Sequence, residues 1–334
     1  MKKTKYRLDE KCFADINGAR QAMFLRSEDE LNPVLLFVHG GPGMPEYFLA
    51  QKYPTGLESH FTVCYWEQRG AGLSYSPLLE PQSITVDQLI DDTIGVTRYL
   101  CGRFGQQKIY LMAHSWGSYI GLQAAQIAPE LYHAYIGVAQ IAQMFESERI
   151  AYGYMLDEYK KRGDMAMVRR LLKFPVLESD EAVLRFFKSA LRDQTMHKIG
   201  IGTMRSMRSV FTGVFIPVLR CKAYTLRERI DIWRARAFLR SRTGLIHSFF
   251  TAELLSRDIR LNIPCYFMSG FYDYTVNIGL SKKLLDKLEA PKKAFYTFEH
   301  SAHSPMFEEP ERFAKIMAED ILAKSCRATE DIVK

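Results

Sequence analysis

A doubly wound α/β sheet, mostly parallel and interrupted once by a helical insertion, is the fold this sequence predicts, and three observations predict it. Short apolar runs bounded by turn residues recur along the chain, and helix-like segments separate several of them. Between about residues 143 and 260, amphipathic helical patterns follow one another with no convincing buried strand. The core is therefore expected in residues 1–142 and 261–334, and a helical cap in 143–260.

The strand candidates, in order, are "PVLLFVHG" (33–40), "FTVCYWEQRG" (61–70), "KIYLMAHS" (108–115), "AYIGVAQ" (134–140), "IPCYFMSG" (263–270) and "KKAFYTFEH" (292–300). Each is short and nearly continuously apolar, the pattern of a parallel strand covered on both faces. Helices are expected in "SITVDQLIDDTIGVTRYLCGRF", "GSYIGLQAAQIAPE", "IGLSKKLLDKLEA" and "PMFEEPERFAKIMAEDILAK". The cap adds basic helical stretches such as "VRRLLKF" and "LRERIDIWRARAFLRSR". It is also rich in aromatics, among them Phe186, Phe187, Phe249 and Phe250, most of them expected in its own core and some facing a pocket.

At 334 residues the chain can bury a large core, and a composition of 47% hydrophobic and 25% charged residues is ordinary for a soluble protein. The N-terminal "MKKTKYRLDEKCFADING" has no apolar stretch of signal-peptide length, and no segment is apolar enough to span a bilayer, so a cytoplasmic protein without a membrane partner is expected. Six cysteines (12, 64, 101, 221, 265 and 326) form no C-x-x-C pair, and neither a disulfide framework nor a metal site is expected. The net charge of +7 is uneven. Residues 143–260 hold 23 Lys and Arg against 13 Asp and Glu, or +10, which leaves −3 for the rest. Spread through helical patterns, these charges read as solvated faces rather than a nucleic-acid surface.

The chemistry concentrates at "YLMAHSWGSYIG" (110–121), where an apolar strand runs through one serine into a small-residue helix. A sharp strand-to-helix turn holds a serine in a strained conformation with its hydroxyl exposed above the sheet edge, provided the residues two before and two after are small. Ala113 and Gly117 meet that need, although Ala113 stands where such turns usually carry glycine. A serine needs a base, and the base a carboxylate to fix its tautomer, so Ser115 calls for an acid and a histidine at the ends of later strands. Asp273 in "CYFMSGFYDYTVN" and His303 in "FYTFEHSAHSPMF" fall there.

Competitors are weaker. His300 and His303 form an H-x-x-H without a third metal ligand. His114 is expected to point away from the hydroxyl into packing, Glu299 to be strand-bound, and Asp286 to lie on a helix. Donors for an oxyanion are expected in "FVHGGPGMPEYF", where the backbone N–H of Gly41 pairs naturally with that of Trp116. "HGGPG" fails as a phosphate loop because Pro42 removes a donor and no G-K-[ST] follows, and "RGAGLSYS" reads as a structural turn.

Taken in this order and at these intervals, "HGGPG", "WEQRGAGLSYS", "AHSWGS", "GFYDYTV" and "HSAHSPMFEEPERF" resemble the α/β-hydrolase superfamily, and within it the proline iminopeptidase (prolyl aminopeptidase) branch, over roughly residues 30–140 and 260–320. The resemblance implies the α/β-hydrolase fold, a Ser115–Asp273–His303 triad acting through an acyl-enzyme, an oxyanion hole at Gly41 and Trp116, no cofactor, and release of an N-terminal residue, typically proline, from a peptide. The family's D-Q-R-G stands here as Glu67-Gln68-Arg69-Gly70, taken as a structural loop. Members of the branch hold the substrate's amino terminus with cap glutamates, for which Glu146, Glu148, Glu228 and Glu253, with Asp231, are the candidates. Two alternatives stay open: an esterase, lactonase or amidase whose basic cap attracts a small acid, and a non-catalytic binding protein of the same fold. The expected partner is a small molecule or short peptide, with homo-oligomerisation left open.

Overall fold

The computed structural model describes residues 5–323, so Cys326 and residues 324–334 of the expected core lie outside the described residues. All six expected strands form, as β3 (Val34–Val38), β4 (Thr62–Glu67), β5 (Ile109–His114), β6 (Tyr132–Val138), β7 (Cys265–Gly270) and β8 (Lys293–Phe298). Glu299, expected on a strand, lies one residue past β8 in a turn. Two further strands precede them, β1 (Leu8–Ile16) and β2 (Ala19–Ser27). Asn17 and Gly18, at φ 51° and 74°, close this hairpin in a two-residue turn, the backbone twist that such positive φ values match to antiparallel strands.

The eight strands form one sheet in the order β1-β2-β4-β3-β5-β6-β7-β8. The β1–β2 and β2–β4 pairs are antiparallel and the five remaining pairs parallel. Successive residues of one strand enter opposite layers: Leu36 and Val38 join one apolar cluster with Leu111 and Ala113, while Leu35 and Phe37 join the other with Tyr65 and Met112. Both faces of the parallel strands are thus covered, which is why they read as continuous apolar runs rather than alternating ones.

The crossover helix Val86–Phe104 starts where the Thr85 hydroxyl accepts from Gln88 N at 3.1 Å and stops at Gly105 in the left-handed region. Between β6 and β7 the described residues carry helices and no strand, among them Met144–Lys161, Asp180–Lys188, Ala190–Ile199, Leu226–Arg242 and Leu245–Phe250. Helix Leu226–Arg242 begins with a capping box between Thr225 and Glu228 and buries the stripe Ile232, Ala235 and Leu239. No helix among the described residues is long and apolar enough to cross a membrane.

Candidate active site

Ser115 follows β5 directly and precedes helix Trp116–Ile127, at φ 52° and ψ −122°, a conformation costly for any residue with a side chain. The surroundings hold it there. Ser115 N donates to the Val138 carbonyl at 2.9 Å, and the Ser118 hydroxyl donates to the Ser115 carbonyl at 2.6 Å while accepting from Ile141 N. The small residue after the turn is obligatory, because a Cβ at Gly117 would stand 2.3 Å from the Val38 carbonyl oxygen. Ala113 is accommodated: its methyl is fully buried against Gly121, where a Cβ would come within 2.7 Å of it.

Asp273 and His303 meet across the ends of β7 and β8. His303 Nδ1 lies 2.9 Å from Asp273 Oδ2, and Asp273 Oδ1 accepts from the Thr275 and Val276 amides, each at 2.9 Å. Both side chains are almost wholly buried. With Nδ1–H donating to the carboxylate, Nε2 is left as the acceptor of the imidazole. Gly270 lets the two loops close on each other, since a Cβ there would sit 1.9 Å from the Ala302 carbonyl oxygen. Glu308 accepts from the Ala302 amide at 2.8 Å and, from the cap, the Arg205 amide at 2.7 Å. Burial pushes its carboxyl up to about 7.

His114 departs from expectation. Rather than pointing away into packing, it faces the His303 loop, with Nδ1 at 2.8 Å from Glu46 Oε1 and Nε2 at 2.9 Å from the His303 carbonyl oxygen. The carbonyl can only accept, so Nε2 carries hydrogen, and the Glu46 carboxylate at Nδ1 favours the charged form of the ring. Burial opposes that charge, but the Glu46 carboxylate and the two acceptors raise the pKa, and the same pairing outweighs burial to lower that of Glu46. Gly40 N also donates to Glu46, at 3.2 Å. Its neighbour Gly41, exposed on the rim of the turn, lines the same cavity as Ser115.

The Glu67-Gln68-Arg69-Gly70 loop supports this turn from behind. Gln68 N donates to His39 Nε2 at 3.1 Å and Gln68 Nε2 to the His39 carbonyl at 2.6 Å, while Arg69 makes a two-pronged buried pair with Asp92 at 2.6 and 2.8 Å. Glu67 accepts from Tyr224 of the cap and from the Leu73 amide, and burial raises its carboxyl to about 7. The extra methylene relative to aspartate carries the carboxyl to that cap tyrosine.

A cavity of about 200 Å³ opens over Ser115 and His303, with Gly41 on its rim. The four cap glutamates do not line it. Glu146 is half-buried in the first turn of helix Met144–Lys161. Glu148 is fully buried against Arg192, Glu228 caps its own helix and pairs with Lys11 at 2.9 Å, and Glu253 accepts from Gln143 at 2.9 Å. Asp231 pairs with Arg234 at 3.2 Å. The charged residues that do line the cavity are Glu46, Asp193, Arg192, Arg236 and Arg240, none of which was singled out in the sequence, alongside the cap aromatics Phe187 and Phe249. A signal was present in part: Arg236 and Arg240 lie four apart, each one position beyond a buried residue of helix Leu226–Arg242. His300 is exposed and off the cavity, and among the described residues no group of three potential ligands could hold a metal.

Comparison with known proteins agrees with this architecture. A profile of the alpha/beta hydrolase fold matches residues 33–310. The chain is 33% identical over 307 residues to a Bacillus subtilis protein described as probable aminopeptidase YbaC, covering 91% of this chain and 93% of that one. It is 26% identical to a proline iminopeptidase of Clostridium botulinum over 85% of this chain and 87% of that one. Among solved structures, a proline iminopeptidase-related protein of Thermus thermophilus superposes with a TM-score of 0.61 at 18% identity, covering 95% and 98% of the two chains, a likeness of fold.

Proposed function

This chain belongs to the α/β-hydrolase fold family, and from that premise we propose that it is a serine hydrolase that releases the N-terminal residue, typically proline, from short peptides through an acyl-enzyme. The observation that carries the reading is the convergence of Ser115 in its strained turn with the Asp273–His303 pair on one cavity. In this reading Ser115 Oγ attacks the carbonyl carbon while its proton passes to His303 Nε2, and the carbonyl electron pair moves onto oxygen against the Gly41 and Trp116 amides. Collapse breaks the C–N bond, and His303 returns the proton to the leaving amine. Water then adds with its proton to His303, and the acid departs as Ser115 regains its hydrogen. Asp273 holds the imidazole in the tautomer this needs and stabilises its charged form. The Glu46–His114 pair, through the His303 carbonyl, fixes the loop that carries the base.

The peptidase part of the reading is supported by the names of the relatives. One observation favours a second reading, an esterase, lactonase or amidase of a small acid: none of Glu146, Glu148, Glu228 and Glu253 lines the cavity, so no cap glutamate is positioned to meet an amine. Hydrolysis of a prolyl arylamide, its N-acetylated twin and a short-chain aryl ester by wild type and Ser115→Ala separates the two. Cleavage of the free amine alone, lost in the variant, establishes the aminopeptidase. Ester cleavage indifferent to the amine establishes the second reading, and activity retained in Ser115→Ala overturns both.

A further inference from the structure

We infer that the substrate carries a carboxylate, held in the cavity by Arg236 and Arg240. The inference rests on the serine-hydrolase reading of the same site and names its substrate class. The two arginines lie one turn apart on helix Leu226–Arg242, are half-buried, and line the cavity that holds Ser115 and His303. Among the described residues neither guanidinium has an ion pair or hydrogen bond. Their contacts are aromatic faces, Trp233 at 5.9 Å from Arg236 and Phe187 at 5.7 Å from Arg240.

The other charges of the lining are already answered. Arg192 is gripped by Glu148 through both nitrogens of its fork and by Asp193 at 3.0 Å, and Glu46 is paired with His114. Asp193 is thus shared with Arg192 and makes no ion pair with Arg236. Two like charges at four-residue spacing, drawn partly out of water without an ion-pair partner, oppose folding. Burial and the neighbouring Arg240 charge work against the charged form of Arg236 and outweigh the Asp193 carboxylate, which favours it without forming an ion pair. An arginine nevertheless stays protonated, so the pair persists as two planar forks of N–H donors facing a cavity, the geometry that matches a carboxylate. A bound carboxylate would turn this repulsive arrangement into charge-assisted hydrogen bonds and fix one end of the substrate relative to Ser115.

Two substrate types share this chemistry: a short peptide with a free C-terminal carboxylate, and an acyl ester whose acid part ends in a second carboxylate. Each is tested against a neutral twin, Pro-Ala against prolyl-alaninamide and the 4-nitrophenyl monoester of adipic acid against 4-nitrophenyl hexanoate. The expected result is a kcat/KM about 10- to 100-fold higher for the carboxylate member of at least one pair, with that ratio collapsing toward one in Arg236→Met, Arg240→Met and the double variant. The pair in which the preference appears identifies the source of the carboxylate. Wild-type protein needs no substitution to show the preference, so a variant that fails to fold leaves the test intact. Equal or faster turnover of both neutral twins by wild type overturns the inference and leaves the hydrolase standing. Absence of turnover together with absence of covalent labelling by a fluorophosphonate removes the hydrolase reading, and the inference with it.

Discussion

The strand ends and the helical segment above them handle charge in opposite ways. At the strand ends three buried charged groups each have a fixed ionic partner: His303 has Asp273, His114 has Glu46 and Arg69 has Asp92. Asp273 and Glu46 come from loops after strands and Asp92 from the crossover helix Val86–Phe104, elements whose positions the parallel sheet dictates, so these pairs are in place before any ligand arrives. In the cap, Arg192 has Glu148 and Asp193, yet Arg236 and Arg240, in the same cavity, make no ion pair with a carboxylate among the described residues. A site whose charges are all paired is built to stabilise a reaction, whereas unpaired charges facing a cavity are built to meet a ligand. In the proposed reading, chemistry falls to the strand ends and selection to the cap.

Substitutions can break that division, the largest effects falling at the sheet edge. Ser115→Ala is expected to lower turnover by about 10⁴-fold or more while leaving the thermal midpoint nearly unchanged, measured by steady-state kinetics and a melting curve. Gly117→Ala should yield little folded protein, because the new methyl meets the Val38 carbonyl at 2.3 Å where backbone cannot yield cheaply. A loss above about 4 kcal/mol is anticipated in denaturant titration. His114→Leu strands Glu46 without its cation and should cost about 3 kcal/mol of stability, with a fall in kcat larger than any change in KM, since the His303 loop loses its tether.

Smaller effects sharpen the comparison at the seam. Glu308 holds its proton up to about 7 in the folded chain against an ordinary 4.5. A carboxyl raised in the folded state contributes stability that is full below pH 4.5 and is lost as pH rises through about 7. Wild type should therefore lose more stability between pH 5 and pH 8 than Glu308→Gln does, read by denaturant titration at both pH values. Smallest of all, Glu253→Gln, whose carboxylate faces Gln143 away from the cavity, should change kcat/KM on a prolyl arylamide by less than about twofold, as for surface substitutions generally. A large increase in KM there would return the amine site to the cap glutamates.

Much of the sheet edge was legible because its requirements are local. The small residues around Ser115, the glycines before Pro42 and the acid and histidine beyond later strands are each forced by backbone geometry at a strand end, and the six parallel strands announce themselves as apolar runs. The β1–β2 hairpin escaped because β1, at the sheet's edge, mixes half-buried and exposed residues, and β2 carries Arg20, Gln21 and Arg26 among its apolar residues, although Asn17-Gly18 was a turn signal in plain view. His114 escaped for a different reason. Its neighbours in sequence fix where its Cα lies, but its direction is set by Glu46, 68 residues earlier, and by the His303 carbonyl, 189 residues later. The cap was least legible: a run of helices with 23 basic residues does not reveal which face meets the cavity until the helices are packed.

The most direct measurement of the central claim is the intact mass of the protein after incubation with a fluorophosphonate, followed by peptide mapping. One adduct per chain is expected, located on Ser115, absent from Ser115→Ala and sharply slowed in His303→Ala. An unmodified wild-type protein, or an adduct on a different serine, would contradict it.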